Sequence, residues 1–280
     1  MRIDAALKNG TELLSVVSAS ARLDVEMLLA HCLGKQPSYL YTWPEKTLSA
    51  DQYKTFSASL KQRQDLYPIA YITGFQEFWS LKLKVTPDVL IPRADTELLV
   101  ETSLSRISDI KNPKILELGT GSGAIALALA TERSDSEIIA TDISDKALVV
   151  AQTNQYRLQL NNVCFIKSDW FGSIQNEKFD LIVSNPPYIN PTDSHLKQGI
   201  RHEPILALTA EDNGFHDLKQ ITNQATAYLK TGGWLILEHG YDQGLTMGVI
   251  LKKAAYQQIS CLPDLGGNDR ISLGLRPLTP

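Results

Sequence analysis

Two hydrophobic rhythms divide the chain. Over residues 1–75, apolar side chains recur every three or four positions: Leu13, Leu14, Val17 and Ala21, then Val25, Leu28, Leu29, Cys32 and Leu33. That spacing puts one stripe on one face of a helix. Gly34 supplies a helix stop, and Ser49-Ala50-Asp51 opens a further helix carrying Tyr53, Phe56, Leu60 and Leu66. These stripes predict a small helical bundle, with its apolar residues assigned to a core.

The rhythm then shortens. Phe78-Trp79-Ser80-Leu81-Lys82-Leu83-Lys84-Val85 alternates apolar and polar positions, which predicts a strand. Thr86-Pro87-Asp88 is expected to turn the chain, and Val89-Leu90-Ile91 to return as the second arm of a β-hairpin ending at Pro92. The hairpin, over residues 76–92, is expected to link two domains. Ala94-Asp95-Thr96-Glu97 starts a helix with Asp95 as its cap, followed by Leu98, Leu99, Val100 and Leu104.

From residue 113 strands and helices alternate. Strands are expected at 115–118, 137–142, 163–166, 179–184 and 234–238, and helices at 123–132, 145–158, 215–230 and 242–255. Gly232-Gly233 is expected to end the helix at 215–230. Two last strands, 257–263 and 270–275, close the chain. Alternating elements of this kind imply a Rossmann-like α/β fold: a mostly parallel sheet under helices on both faces, with an antiparallel edge. The organisation expected is therefore a helical domain at 1–75, a hairpin linker at 76–92 and an α/β domain at 93–280.

Composition narrows the function classes. The 280 residues are 43% hydrophobic and 21% charged, ordinary for a globular protein. Net charge is −4, split as +2 over residues 1–84 and −6 over the rest, which gives no basic arm for a phosphate backbone. Cys32, Cys164 and Cys261 are far apart without metal-ligand spacing, so neither a disulfide framework nor a metal site is expected, and the thiols are read as buried in a reducing compartment. The amino terminus lacks a signal-peptide core, and no run reaches the ~18 apolar residues of a membrane span. A cytoplasmic location is expected.

Glu117-Leu118-Gly119-Thr120-Gly121-Ser122-Gly123 joins the first strand of the α/β region to its helix. Glycines there let a backbone approach a ligand closely, and open α/β sheets bind ligands past the carboxyl ends of their strands. The spacing is G-x-G-x-G, not the G-x-G-x-x-G of a dinucleotide site. Asp142, at the end of the next strand, can accept both hydrogen bonds of a ribose diol, or else cap the helix that follows it. Asp169-Trp170, after the third strand, offers a carboxylate for an exocyclic amine and a ring for stacking. Together these make a nucleoside pocket. It suits a ligand whose reactive atom lies beside its ribose, as in S-adenosyl-L-methionine.

Asn185-Pro186-Pro187-Tyr188 follows the apolar strand 179–184. The prolines stiffen the turn and donate no N–H, so carbonyl oxygens stay available beside an amide and an aromatic ring. This corner can hold a planar NH2 group, although Pro-Pro also marks ordinary turns. Asn185 and Pro186 offer acceptors for two N–H bonds, and Tyr188 offers a stacking face. His195, His202, His216 and His239 are assigned to loops and packing.

The two motifs together resemble S-adenosylmethionine-dependent methyltransferases that act on planar amino or amide nitrogens. Ile91-Pro-Arg-Ala-Asp-Thr-Glu97, Ser168-Asp-Trp-Phe171, Glu203-Pro204, Leu237-Glu-His-Gly240 and Gly266-Gly-Asn-Asp-Arg270, in that order, extend the likeness over nearly the whole length. They resemble the HemK family, the N5-glutamine methyltransferases of peptide chain release factors. Ala94, His202 and Tyr241-Asp242 depart from the family's pattern. The resemblance implies the glutamine of a Gly-Gly-Gln loop in class I release factors as substrate. It implies that Glu117, Gly119, Thr120, Gly121, Ser122, Gly123, Asp142, Asp169, Trp170 and Asn185 bind the cofactor. Asn185, Pro186, Pro187 and Tyr188 would hold the glutamine, with Asn185, Pro186 and Tyr188 catalytic and no metal involved. The helical domain would dock the protein substrate, with no direct nucleic-acid or membrane partner and the chain acting as a monomer. A ribosomal-protein glutamine methyltransferase and an adenine-N6 DNA or RNA methyltransferase share this chemistry and remain alternatives. The latter must extrude a base and bind a strand, which the −4 charge does not favour. A non-catalytic nucleotide-binding module and a dinucleotide oxidoreductase fit the Asn-Pro-Pro-Tyr corner and the glycine spacing less well.

Overall fold

The computed structural model describes residues 1–197 and 199–277. The chain forms two units, one of Met1–Phe75 with Lys197–His202, the other of Gln76–Leu196 with Glu203 onward.

The first unit is helical: α1 (Ile3–Leu14), α2 (Ala21–Leu33), α3 (Ser38–Thr42), α4 (Ala50–Gln64) and α5 (Ile69–Thr73). Ile3, Leu7, Leu14, Val25, Leu28, Leu29, Leu40, Phe56 and Leu60 form its core. The expected run Val25, Leu28 and Leu29 lies in this core, but the run Leu13, Leu14, Val17 and Ala21 crosses the turn between α1 and α2 rather than one helix, and Leu13 and Tyr53 are exposed. Ser49 caps α4 in a reciprocal box: its Oγ accepts from Gln52 N at 3.1 Å, and Gln52 Oε1 accepts from Ser49 N at 2.9 Å. The single-turn helices α3 and α5 are too short to carry a period, so the sequence pattern does not reveal them. Nor does it reveal that Lys197–His202 joins this unit. There Arg201 Nη2 donates to Asp65 O at 2.5 Å, and the His202 ring meets Tyr67 edge-on at 5.0 Å.

The second unit opens with a hairpin, β1 (Phe75–Phe78) and β2 (Leu81–Lys84). The expected hairpin is displaced: the turn falls at Trp79 and Ser80, both left-handed (φ 51° and 59°), and Val89–Ile91 form no strand. Paired left-handed residues make the tight hairpin turn, normally marked by Asn-Gly. Here tertiary bonds hold it instead, with Trp79 N donating to Glu97 Oε1 at 2.7 Å and Trp79 Nε1 to Glu132 Oε1 at 2.8 Å. The next helix, α6 (Glu97–Arg106), follows a 3-10 turn, and no side chain caps it. Asp95, the expected cap, lies 3.6 Å from Arg270.

β3 (Lys114–Leu118), α7 (Ala124–Glu132), β4 (Glu137–Asp142), α8 (Asp145–Leu158), β5 (Val163–Lys167) and β6 (Phe179–Ser184) follow. After α9 (Glu211–Gly214), a short turn in which Asp212 and Asn213 are left-handed rather than helical, come α10 (His216–Ala225), β7 (Leu229–Glu238), α11 (Gly244–Lys253), β8 (Gln257–Pro263) and β9 (Asp269–Leu275). The sheet order is β5-β4-β3-β6-β7-β9-β8. Neighbours are parallel from β5 to β7 and antiparallel at β7-β9-β8. This is the expected fold class. Alternate strand residues face opposite layers. Ile115, Leu181, Val183 and Ile236 pack with α6 and α7, whereas Leu116, Leu118, Ile182 and Leu235 pack with α10 and α11.

Two sequence expectations need correction. Gly232-Gly233 does not stop a helix; α10 ends at Ala225, and the pair lies inside β7. The β6–β7 register shifts there, and an added Cβ on Gly233 would come 3.0 Å from Phe179 O. The glycines mark a bulge where two backbones approach. The thiols are not all buried either: Cys164 is exposed, while Cys32 and Cys261 are half-buried. Cys164 lies on β5, an edge strand of the sheet.

Candidate active site

One row of the sheet sets the geometry. Leu118 pairs with Thr141 on β4 and with Ser184 on β6, and Ser184 pairs with Leu237 on β7. Ser184 Oγ also donates to Leu118 O at 2.7 Å. The next residue on each strand is therefore Asp142, Gly119, Asn185 or Glu238. Four polar or glycine positions leave the sheet side by side, at its carboxyl end. The strand order reverses between β3 and β6, where such sheets open a crevice.

The glycine loop is tied down from both sides. Thr120 N donates to Thr141 O at 2.9 Å, and Gly121 N to Asp142 Oδ2 at 2.8 Å. Asp142 Oδ1 accepts from Ser144 N at 2.9 Å. Asp142 is thus not the cap of α8; Ser144 is, accepting from Ala147 N at 3.2 Å. Gly119 and Gly121 take left-handed conformations (φ 71° and 56°), which a Cβ would strain. A Cβ on Gly121 would meet nothing within 4 Å, and one on Gly119 would lie 3.4 Å from the Trp170 ring. Gly123 differs, because a Cβ there would press on Leu127, Ala151 and Phe165. Its role is close packing of α7. Ser122 is buried, and its carbonyl accepts from Asn154 Nδ2 at 2.9 Å.

Glu117 lies beneath the loop, fully buried. Its Oε2 accepts from Thr120 Oγ1 at 2.7 Å and Ala126 N at 3.0 Å, and its Oε1 has no partner. Burial pushes its carboxyl up to about 7, against those bonds. Burial also raises Asp142, opposed by the Ser144 and Gly121 amides. Asp169 is exposed and Trp170 half-buried, with Trp170 O accepting from Ser168 Oγ at 2.8 Å. An open glycine cradle, an acid at the neighbouring strand tip, an indole against the loop and an orphaned buried carboxylate oxygen fit a cationic nucleoside cofactor.

On the other side of the switch point, Asn185 Nδ2 donates to Thr96 Oγ1 at 3.3 Å. Pro186 is buried; Pro187 and Tyr188 are half-buried. Tyr188 OH donates to Glu238 Oε1 at 3.3 Å. Burial, and then the Glu238 charge, push the Tyr188 hydroxyl up. The Tyr188 carbonyl accepts from Gln243 Nε2 at 3.2 Å, and Gln243 Oε1 accepts from Gly240 N at 2.8 Å. Glu238 is 1% exposed, its Oε2 is unpartnered, and burial raises its carboxyl to about 7. His239 is buried between Gly240 O and Ser272 Oγ, a packing role.

The first motif covers one side of this crevice and the second motif the other. Thr96, Glu238 and Gln243 carry no expected role from sequence. The first two lie within the stretches Ile91–Glu97 and Leu237–Gly240 that carry the family resemblance, so the signal was present without an assignment.

Comparison with known proteins decides the family. Residues 5–74 match the PrmC N-terminal domain, and residues 109–262 match a Methyltransferase domain. The release factor glutamine methyltransferase of Shewanella oneidensis is 48% identical over 93% of this chain and 91% of its own. That of Escherichia coli is 45% identical over 92% and 93%. The chain belongs to the release factor glutamine methyltransferase family. The fold also recurs at low identity among solved methyltransferases. A methyltransferase from Pyrococcus furiosus superposes with TM-score 0.55 at 20% identity, over 78% of this chain and 99% of that one. A Thermus thermophilus 16S rRNA N2 G1207 methyltransferase, solved with AdoMet and guanosine, gives 0.54 at 18%, over 72% and 49%. Among the described residues of this family member, no helix is long and apolar enough to cross a membrane.

Proposed function

We propose that this protein methylates the side-chain amide nitrogen of the glutamine in the Gly-Gly-Gln loop of class I peptide chain release factors, using S-adenosyl-L-methionine. The observation that carries this reading is the register row. It puts Gly119 and Asn185 side by side, one past the Leu118–Ser184 pair.

The glycine loop, Asp142 and Trp170 hold the cofactor, with Glu117 Oε1 beneath offering a negative partner. When bound, the cofactor supplies an electrophilic methyl group on a sulfonium. An amide nitrogen is a weak nucleophile, its lone pair being delocalised into the carbonyl. Asn185 Oδ1 and the Pro186 carbonyl accept its two N–H bonds, which fixes the nitrogen and favours its more positive, pyramidal form. Tyr188 lies along the amide plane. As the N–CH3 bond forms the S–CH3 bond would break, its electron pair staying on sulfur as a neutral thioether, and the nitrogen, acidic once methylated, gives its proton to solvent without a strong base. Positioning of this kind is worth up to ~7–11 kcal/mol.

The helical unit docks the body of the release factor. The protein acts as a cytoplasmic monomer on a protein substrate, without direct nucleic-acid contact, in keeping with its −4 charge. Incubation with labelled cofactor and three acceptors tests the reading: a release factor, its Gln→Ala variant, and duplex DNA. Label is expected on the first alone. Equal label on the Gln→Ala variant, or label on DNA, overturns it.

A further inference from the structure

Gln243 stands just before α11 and is 5% exposed, so both ends of its amide need partners within the protein. They have them, and each partner is a backbone group. Nε2 donates to Tyr188 O at 3.2 Å, and Oε1 accepts from Gly240 N at 2.8 Å. A carbonyl only accepts and a peptide N–H only donates, so this amide has one way round. Gln243 N also donates to Gly240 O at 3.0 Å, which closes the turn that carries it. The space around the amide is closed too. An added Cβ on Gly214 would come 2.0 Å from Tyr188 O and 2.9 Å from Gln243 Nε2, and one on Gly240 would come 3.2 Å from Gln243 Oε1. These glycines let three backbones meet around one side chain.

The turn follows β7, whose last residue is Glu238. Glu238 Oε1 accepts from Tyr188 OH at 3.3 Å. Residues 238–243 thus grip Tyr188 twice, at its hydroxyl through Glu238 and at its carbonyl through Gln243. The two anchors lie at opposite ends of the residue, so together they set the direction of the ring between them. The peptide beyond is pinned as well, with Ile189 N donating to Leu208 O at 2.9 Å and Ala210 N to Ile189 O at 3.0 Å.

We propose that Gln243 is a positioning residue: by holding the Tyr188 carbonyl it aims the Tyr188 ring at the substrate amide. Its side chain comes from the turn between β7 and α11, outside the Asn-Pro-Pro-Tyr corner that it braces. This inference rests on the proposed glutamine methylation and adds to it the residue that orients the aromatic wall.

The test measures kcat, KM for a release factor and cofactor Kd in wild type, Gln243→Met, Gln243→Ala, Tyr188→Ala and the two double variants. Gln243→Met keeps the length of the side chain and removes both hydrogen bonds. Gln243→Ala leaves room for water to satisfy the two backbone groups, and carries the test if Gln243→Met does not fold. Each is expected to lower kcat by about tenfold or more, since small misplacements of reacting groups cost up to about a hundredfold, with cofactor Kd unchanged. In the Tyr188→Ala background there is no ring to aim, and the same substitutions are expected to change kcat by less than about twofold. A residue that only supports the fold would cost the same factor in both backgrounds. Equal losses in the two backgrounds therefore overturn the proposal. So does wild-type kcat in the single Gln243 variants, or a loss confined to cofactor Kd. A wild-type enzyme that leaves the release factor unlabelled overturns the substrate reading itself, which the variants do not address.

Discussion

Gly121 N donates to Asp142 Oδ2 at 2.8 Å, so the glycine loop after β3 hangs from the acid at the tip of β4. The other oxygen holds Ser144 N. Hydrogen bonds to a charged acceptor contribute ~1.5–3 kcal/mol each, less where solvent reaches them. Asp142→Ala is therefore expected to destabilise the ligand-free protein by about 2 kcal/mol and to weaken cofactor binding as well. Urea denaturation without cofactor measures the first effect. Wild-type stability there would show that the acid does not brace the loop.

Glu117 carries a pH dependence. Its carboxyl titrates near 4.5 when unfolded and at about 7 when folded, so the native state binds the extra proton between those values. The stability this group contributes is full below about 4.5 and is lost as pH rises through about 7. Glu117→Gln cannot ionise and escapes that loss. The difference in melting temperature, variant minus wild type, is expected to be more favourable to the variant at pH 8 than at pH 5. Parallel profiles would place the buried charge elsewhere.

Asn185→Ala removes the acceptor at the centre of the corner. By analogy with loss of one preorganised hydrogen-bonding group, turnover is expected to fall about 10²–10³-fold. Cofactor Kd, read by calorimetry, is expected to hold. Undiminished turnover would refute the role given to Asn185.

Gly214 backs onto the same corner. It is left-handed (φ 86°), and an added Cβ would sit 2.0 Å from the Tyr188 carbonyl oxygen. Gly214→Ala is expected to cost about 1–3 kcal/mol in backbone strain and to push Tyr188 out of line. Turnover should fall while the glycine loop still binds cofactor. A variant with normal kcat would mean that the Tyr188 carbonyl is free to move.

Removal of the first 75 residues tests the docking role. Phe78 and Leu83 of the hairpin belong to the core of the second unit, so the truncation should begin at Gln76 rather than near residue 85. It is expected to bind cofactor and to lose methylation of intact release factor. Full activity on that substrate would assign docking elsewhere.

The sequence made one half of the site legible more readily than the other. Gly119, Gly121 and Asp142 stand at ends of strands whose apolar runs are plain, and their spacing along the chain reflects one βαβ unit. Asn185 follows an equally plain strand. Thr96 and Glu238 lack such a marker, because what they do depends on contacts 89 and 50 residues away in the chain. The displaced hairpin fails for a similar reason: Trp79 and Ser80 adopt a turn that their own propensities oppose, held by Glu97 and Glu132. Local pattern reports what a segment prefers, and tertiary bonds override it at these places.

The shared register row also binds activity to assembly. Gly119, Asp142, Asn185 and Glu238 come from four separate strands, and none reaches its neighbours until those strands have zipped in the native alignment. A misregistered or half-built sheet would keep most of its helices and still lack any catalytic crevice. Enzymatic recovery during refolding should consequently lag behind the return of secondary structure and coincide with closure of the last of those strand pairs.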